Sequence, residues 1–315
     1  MSSALLRRCC PCLHWSQLEW AGFGATVYIA TVLAVLFVVN ALFTCPAILD
    51  DERCAGHINV AWLLSAQVVA NYVCFHLYSK RNRVSSMLPG KMRRADVDPT
   101  ANHKDNADAM TKYCVSCEEV VPVKAHHCPI CQYCVLRKDH HCVILNGCVG
   151  FGNQRYFIVF LFWAAIGTAY ATSFSVRYLD RFYKPLLPFG FIEYAAPIAM
   201  KRWILMEDCT IFELALCLLV SIGVSTAVGA FAFFVSQCFF VLRGTTMHEF
   251  FKQRGDADYV SPTTRNHEPA TFSERIQATF GPWWLLNFIV PCPWFANRLT
   301  PAYARSLYDY YLKDM

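Results

Sequence analysis

Seven cysteines and four histidines crowd the stretch from Cys114 to Cys148. Thiolate and imidazole groups at that density can hold metal or act as nucleophile and base, and spacing separates the two uses. Reading from Cys114, the pattern Cys-x2-Cys-x9-His-x6-Cys selects Cys114, Cys117, His127 and Cys134. Fourteen residues on, the same pattern selects Cys128, Cys131, His141 and Cys148. Each set has the ligand types and the paired spacing that tetrahedral structural zinc prefers, so two interleaved Zn2+ sites are expected. Glu118, Glu119, Lys124, Arg137, Lys138 and Asp139 leave too little apolar sequence for a core of buried thiols. Metal binding would stabilise such a polar segment, and mostly irregular backbone is expected there.

Those eight ligands leave His126, His140 and Cys142 unassigned. Cys142 is the counterpart of Cys128, but no further copy of the pattern consumes it. It therefore reads as a free thiol. The reactive form is the thiolate, and an unperturbed cysteine titrates at about 8.5, so a base is needed. His140 lies two residues before Cys142, with Asp139 beside it to fix the imidazole tautomer. The plain alternative is a solvated Asp-His pair with no task.

The elements that must position these groups are written in the composition. With 56% hydrophobic and 16% charged residues, the 315-residue chain is too apolar for a soluble globule. A span needs roughly 20 mainly apolar residues. Four stretches qualify, at about Trp20–Phe43, Ile58–Tyr78, Tyr156–Val176 and Phe212–Leu242. Glu213, near the start of the fourth, reads as an interfacial residue, with an intramembrane functional acid as the alternative. The connection Ser79–Arg155 is rich in basic residues, whereas the loop after span one holds only Arg53. By the positive-inside rule both termini and the long connection are expected in the cytosol, and the loops at 44–57 and 177–209 outside or lumenal. The expected organisation is a cytosolic N-terminus (1–19), spans one and two (20–78), a cytosolic connection with the cysteine module (79–155), spans three and four (156–242) and a cytosolic tail (243–315). The net charge of +5 is modest and adjoins the spans, which suits anionic lipid headgroups. A compact basic helix or aromatic stacking platform for nucleic acid is lacking. A nucleophilic thiol tethered at the cytosolic face can reach a long-chain acyl-CoA whose tail lies among the helices.

Asp139-His140-His141-Cys142, inside the doubled cysteine pattern and between spans two and three, resembles the DHHC-type protein S-acyltransferases. His126-His127-Cys128-Pro129, Cys148-Val149-Gly150 with Asn153 and Phe157, and Thr245-Thr246-Met247-His248-Glu249 after span four extend the resemblance. The last corresponds to the family's Thr-Thr-x-Glu motif. The resemblance implies a four-helix membrane protein with a zinc-bound cytosolic module. It also implies palmitoyl-CoA as acyl donor, cysteine-bearing proteins as acceptors and a thioester intermediate. By position, Cys142 would carry the acyl group, His140 would be the base and Asp139 its orienting partner, supported by Thr246. Lys124 would contact CoA phosphates, with Arg137 and Lys138 as further candidates. This chain departs from the family at Val143-Ile144, where Pro-Trp is usual, and at Gly147, where asparagine is usual. A clear Asp-Pro-Gly after span two is also missing, Leu88-Pro89-Gly90 and Asp98-Pro99 being fragments.

Two other readings stay open on sequence: a catalytically silent zinc-stabilised membrane scaffold, and a cross-braced zinc domain recruiting ubiquitin machinery. The second leaves Asp139, His140 and Cys142 unexplained. Cys9, Cys10 and Cys12 could themselves be acylated, and Cys45 with Cys54 could form a disulfide. Trp283–Phe295 reads as an interfacial anchor. The resident membrane, whether Golgi, endoplasmic reticulum or plasma membrane, is not written in the residues.

Overall fold

The computed structural model describes residues 11–79, 82–84, 111–122, 124–207, 209–255 and 271–291. Cys9, Cys10, the Leu88-Pro89-Gly90 and Asp98-Pro99 fragments, and residues 292–295 of the expected interfacial anchor lie outside them.

Among the described residues four helices are long and apolar enough to cross a membrane: Trp20–Ile48, Asp51–Ser79, Gln154–Phe182 and Ile211–Arg243. The chain is therefore a helical membrane protein, as composition suggested. The first of these is α1 (Pro11–Val39), a π-helical turn (Asn40–Thr44) and a short α2 (Cys45–Ile48). The others are α3 (Asp51–Ser79), α4 (Gln154–Phe182) and α7 (Ile211–Arg243). Trp62, Leu63, Val228 and Phe231 are more than half exposed, which only a lipid surrounding makes tolerable. At about 1.5 Å per residue, α7 is about 50 Å long, more than hydrocarbon alone requires. Gly244 (φ 72°) ends it in the left-handed region that favours glycine.

The chain separates into two compact units, Met1–Thr26 with Asn71–Ile158 and Ser236–Met315, and Val27–Ala70 with Val159–Val235. The first unit contains the cysteine module, and here the expectation of mostly irregular backbone is amended. Three short antiparallel hairpins pair β1 (Thr111–Cys114) with β2 (Glu119–Pro122), β3 (Ala125–Cys128) with β4 (Tyr133–Leu136), and β5 (His140–Cys142) with β6 (Gly147–Val149). Their second strands open at Glu119, Tyr133 and Gly147, fourteen residues apart each time. The turns repeat as well, because Glu118, Gln132 and Asn146 all take positive φ (54°, 56° and 47°). The repeat thus has a third structural copy that lacks the ligands, with buried Leu145 where a cysteine would complete its Cys-x2-Cys pair. Val120, Val121, Val135 and Leu136 are buried on these strands and add apolar packing to the hairpins.

Asn153 joins the module to α4. Fully buried, it accepts from the Gly150 N–H (3.0 Å) and Asn82 Nδ2 (2.8 Å) and donates to the Cys148 carbonyl (3.0 Å). Gly150 is required by a close approach: a Cβ there would sit 2.8 Å from Val135 Cγ1 and 2.9 Å from the Leu136 carbonyl oxygen. The Cys148-Val149-Gly150 and Asn153 signature is therefore a packing joint.

In the second unit, Leu179, Tyr194, Ala199, Leu214, Leu216, Cys217 and Val220 form one apolar cluster. Gly223 lets α7 approach α4, since a Cβ there would meet Thr172 Oγ1 at 2.1 Å. Glu213 is not an interfacial residue in contact with water. It is 2% exposed and accepts from Arg202 Nη1 at 2.9 Å, on α6 (Ala196–Ile204). Removing Glu213 leaves buried Arg202 with the more distant Glu193 carboxylate, 3.6 Å from its Nη1, in place of the 2.9 Å pair. Glu213→Ala is expected to lower stability by roughly 3 kcal/mol, and the double variant Arg202→Met with Glu213→Leu to recover most of it. Thermal unfolding in detergent micelles checks both.

Candidate functional site

The strand geometry explains how adjacent residues serve different ends. Successive side chains on a strand point to opposite faces, so His141 faces one way while His140 and Cys142 face the other. His141 pairs across the hairpin with Cys148, as His127 pairs with Cys134 one repeat earlier. No folded-back irregular segment is needed to bring His140 to Cys142; the two-residue period of β5 does it.

Both quartets read from the sequence come together. Cys114, Cys117, His127 and Cys134 form one cluster and Cys128, Cys131, His141 and Cys148 the other, with the donor atoms of each within 4.8 Å of one another. In the first, Cys117 Sγ lies 3.2 Å from His127 Nδ1 and 3.7 Å from Cys134 Sγ. In the second, Cys131 Sγ lies 3.3 Å from His141 Nδ1 and 3.5 Å from Cys148 Sγ, and Cys128 Sγ 3.7 Å from His141 Nδ1. Zinc–sulfur bonds of about 2.3 Å in a tetrahedron put donors about 3.8 Å apart, so the residues fit zinc. Cys128 and Cys148 are fully buried.

Cys142 belongs to neither cluster. It is 8% exposed and shares one face of β5 with His140, two residues before it. His140 Nδ1 lies 2.7 Å from Asp139 Oδ2, and the Phe157 ring packs edge-on against the imidazole, centroids 5.2 Å apart. Burial alone pushes His140 down, but the hydrogen bonds to Asp139 and Cys142 outweigh it and raise its pKa to about 9. The arrangement is an oriented imidazole on a thiol, able to take the thiol proton and leave a nucleophilic thiolate.

Asp139 is 1% exposed and is held from two directions that the residue pattern did not reveal. Gln237 Nε2, from α7, donates to Oδ2 at 2.9 Å, and the Met247 N–H donates to Oδ1 at 2.8 Å. Thr246 lies just past the end of span four, and its hydroxyl is turned to the helix that follows. It accepts from the Glu249 N–H (3.2 Å) while Glu249 Oε2 accepts from the Thr246 N–H (3.1 Å). This reciprocal capping box starts α8 (Met247–Gly255). Thr246 thus acts at one remove, by fixing the helix whose first N–H reaches Asp139. A glutamine within an otherwise apolar span was the available signal for Gln237. A backbone donor such as Met247 leaves none.

Positive charge gathers nearby. Lys112 Nζ lies 3.3 Å from His126 Nδ1, the His126 and His248 rings are 4.2 Å apart, and Lys138 Nζ donates to the His127 carbonyl at 3.1 Å. Burial, then Lys112, holds His126 down at about 2, while burial, then Lys138, holds His248 at about 4. His126 Nε2 is buried without a hydrogen-bond partner among the described residues. The Lys124 carbonyl accepts from the Arg137 N–H at 2.9 Å, and Arg137 itself is 8% exposed. Val143 and Ile144, where the family has Pro-Trp, are exposed on the turn after Cys142. Gly147 packs under Phe75, since a Cβ there would lie 3.3 Å from that ring.

Residues 108–254 match the DHHC palmitoyltransferase family. The chain is 41% identical over 160 residues to the palmitoyltransferase PFA4 of Saccharomyces cerevisiae, covering 50% of this chain and 35% of that protein. It is 44% identical over 78 residues to the palmitoyltransferase ZDHHC20 of Bos taurus, covering 25% of this chain and 21% of that protein. The chain thus spans about a third of the first relative and about a fifth of the second. Against the palmitoyltransferase ZDHHC22 of Homo sapiens it is 24% identical over 281 residues, 85% of this chain and 91% of that one. Over residues 108–254, just under half of its length, the chain carries a stretch that matches the DHHC palmitoyltransferase domain.

Proposed function

We propose that the chain is a protein S-acyltransferase that moves a long-chain acyl group, palmitoyl first among candidates, from acyl-CoA to Cys142 and then to cysteines of other proteins. The observation that carries this reading is a buried thiol left out of both metal clusters and set against an aspartate-oriented imidazole. His140 takes the Cys142 proton as the thiolate attacks the acyl carbonyl carbon. The carbon–sulfur bond to CoA breaks, and the CoA thiolate leaves with a proton. An acceptor thiolate then attacks the Cys142 thioester and frees Cys142. Two Zn2+ ions, one per quartet, would act structurally by locking the hairpins that hold His140 and Cys142.

For the CoA phosphates, Lys124, Lys138 and buried Arg137 are the proposed contacts, with Lys112 adding to the positive field. The Lys/Arg-rich connection 79–155 and both termini are placed in the cytosol, where acyl-CoA and acceptor proteins would be met. Incubating purified, zinc-loaded protein with a labelled long-chain acyl-CoA is expected to give hydroxylamine-sensitive label on the chain. Absence of label on folded protein would leave the silent scaffold instead. Gln237 is a positioning residue in this scheme. Gln237→Leu removes one charge-assisted hydrogen bond from Asp139 and is expected to lower kcat about tenfold with little change in KM for acyl-CoA. A rise in KM with kcat unchanged would remove it from that role.

A further inference from the structure

Cys45 and Cys54, in the second unit, flank the corner between the first two spanning helices. Cys45 opens α2 and Cys54 sits in the first turn of α3, with only Leu49 and Asp50 between the helices. Asp50 stiffens the corner by accepting from the Arg53 N–H at 2.9 Å and from Arg53 Nε at 2.7 Å. Cys45 and Cys54 are 3% and 5% exposed and share one apolar cluster with Phe174. Cys45 Sγ lies 3.8 Å from the Cys54 carbonyl oxygen, so the Cys45 side chain points at the first turn of α3. Cys45 also lines a cavity of about 610 Å³, its open side included, together with Asn40, His57, Tyr170 and Phe174.

We propose that Cys45 and Cys54 are a disulfide site, oxidised as the chain folds, that staples the helix corner and fixes this wall of the cavity. The proposal rests on placing the Lys/Arg-rich connection in the cytosol, which puts residues 44–57 on the oxidising side of the membrane. The geometry favours the bond, since Cys45 Sγ already reaches the Cys54 backbone and both side chains lie in one buried cluster. The step is thiol–disulfide exchange: two S–H bonds break and one S–S bond forms. The two electrons and two protons pass to an acceptor disulfide, a protein oxidoreductase or glutathione disulfide, which leaves as two thiols. Exchange must precede closure of the cluster, and the buried bridge is afterwards reached by reductants only as the corner opens on heating or denaturation.

The test uses the full chain in cells. Membranes are denatured with a first maleimide and a chelator, so that free and zinc-bound thiols are all capped. A phosphine reductant, which spares thioesters, then exposes only disulfide sulfur to a second maleimide, and peptides are identified by mass. Most of the label on Cys45 and on Cys54 is expected to be the second tag, and Cys45→Ala should shift Cys54 to the first. First-tag labelling of both cysteines in the unsubstituted chain overturns the proposal whether or not any variant folds. Reduction of the purified protein is also expected to lower its Tm, and to have no such effect on the Cys45→Ala, Cys54→Ala double variant. An equal drop in both would overturn the staple. Acyl label on Cys142 is read separately, so loss of the acyltransferase reading leaves this result standing.

Discussion

Cys142→Ser is expected to abolish hydroxylamine-sensitive acylation, with a loss on the order of a thousandfold or more in the rate of label incorporation. The substitution changes one atom at a position only 8% exposed, and none of the eight metal-cluster residues is touched. Fold and zinc content should therefore be retained, which separates a chemical effect from a structural one. A serine hydroxyl beside His140 is a far weaker acid than a thiol, so the imidazole has no accessible anion to generate. Any oxygen ester that did form would resist hydroxylamine. Label that survives on a zinc-loaded Cys142→Ser protein would move the chemistry elsewhere, with the Cys9, Cys10 and Cys12 cluster the first place to look. His140→Ala in the same assay should retain the thiol and lose about a hundredfold, the lower range of general-base assistance.

Loss of one metal ligand is expected to have an effect as large by a different route. Cys128→Ala should release about one zinc, and with it the hairpin that carries the nucleophile. Cys128 is fully buried beside Cys148, and Cys148 stands opposite His141 on the β5–β6 hairpin. Structural zinc contributes about 10–16 kcal/mol of apparent binding free energy, comparable with the roughly 5–15 kcal/mol total stability of an ordinary domain. Three residues of β5 cannot hold His140 and Cys142 in register without it. Cys114→Ala should also lose about one zinc, from the cluster that holds β1 to the β3–β4 hairpin. Metal content by elemental analysis, with far-UV circular dichroism for folding, checks both variants. Two zincs retained in either would sink the division into quartets.

The ligand quartets were legible because metal coordination imposes fixed donor types at short separations, and a fourteen-residue repeat displays them twice. The spans were legible because hydrocarbon thickness demands a minimum apolar length, although the helices run beyond the apolar cores at several ends, to Ile48 and Phe182 for example. Cys142 could be singled out by subtraction. Other features depended on distances along a folded chain. The third copy of the hairpin was hidden because Leu145 preserves the turn without preserving the ligand. Gln237 is 98 residues from Asp139 and reads locally as one polar interruption in an apolar helix. Met247 contributes a backbone N–H, which every non-proline residue possesses, so its side chain carries no signal. The contact of Cys45 with Cys54 needed the tight corner at Leu49-Asp50, which cysteine spacing alone did not specify.

By itself the sequence determined which side chains could bind metal, which thiol remained free and which stretches must leave water, since donor chemistry and apolar length are properties of short segments. Only the tertiary structure decided what holds Asp139, how β5 sends His141 one way and Cys142 the other, and where Glu213 finds its cation. Those outcomes depend on strand register, helix capping and burial, which arise when segments far apart in the chain pack together.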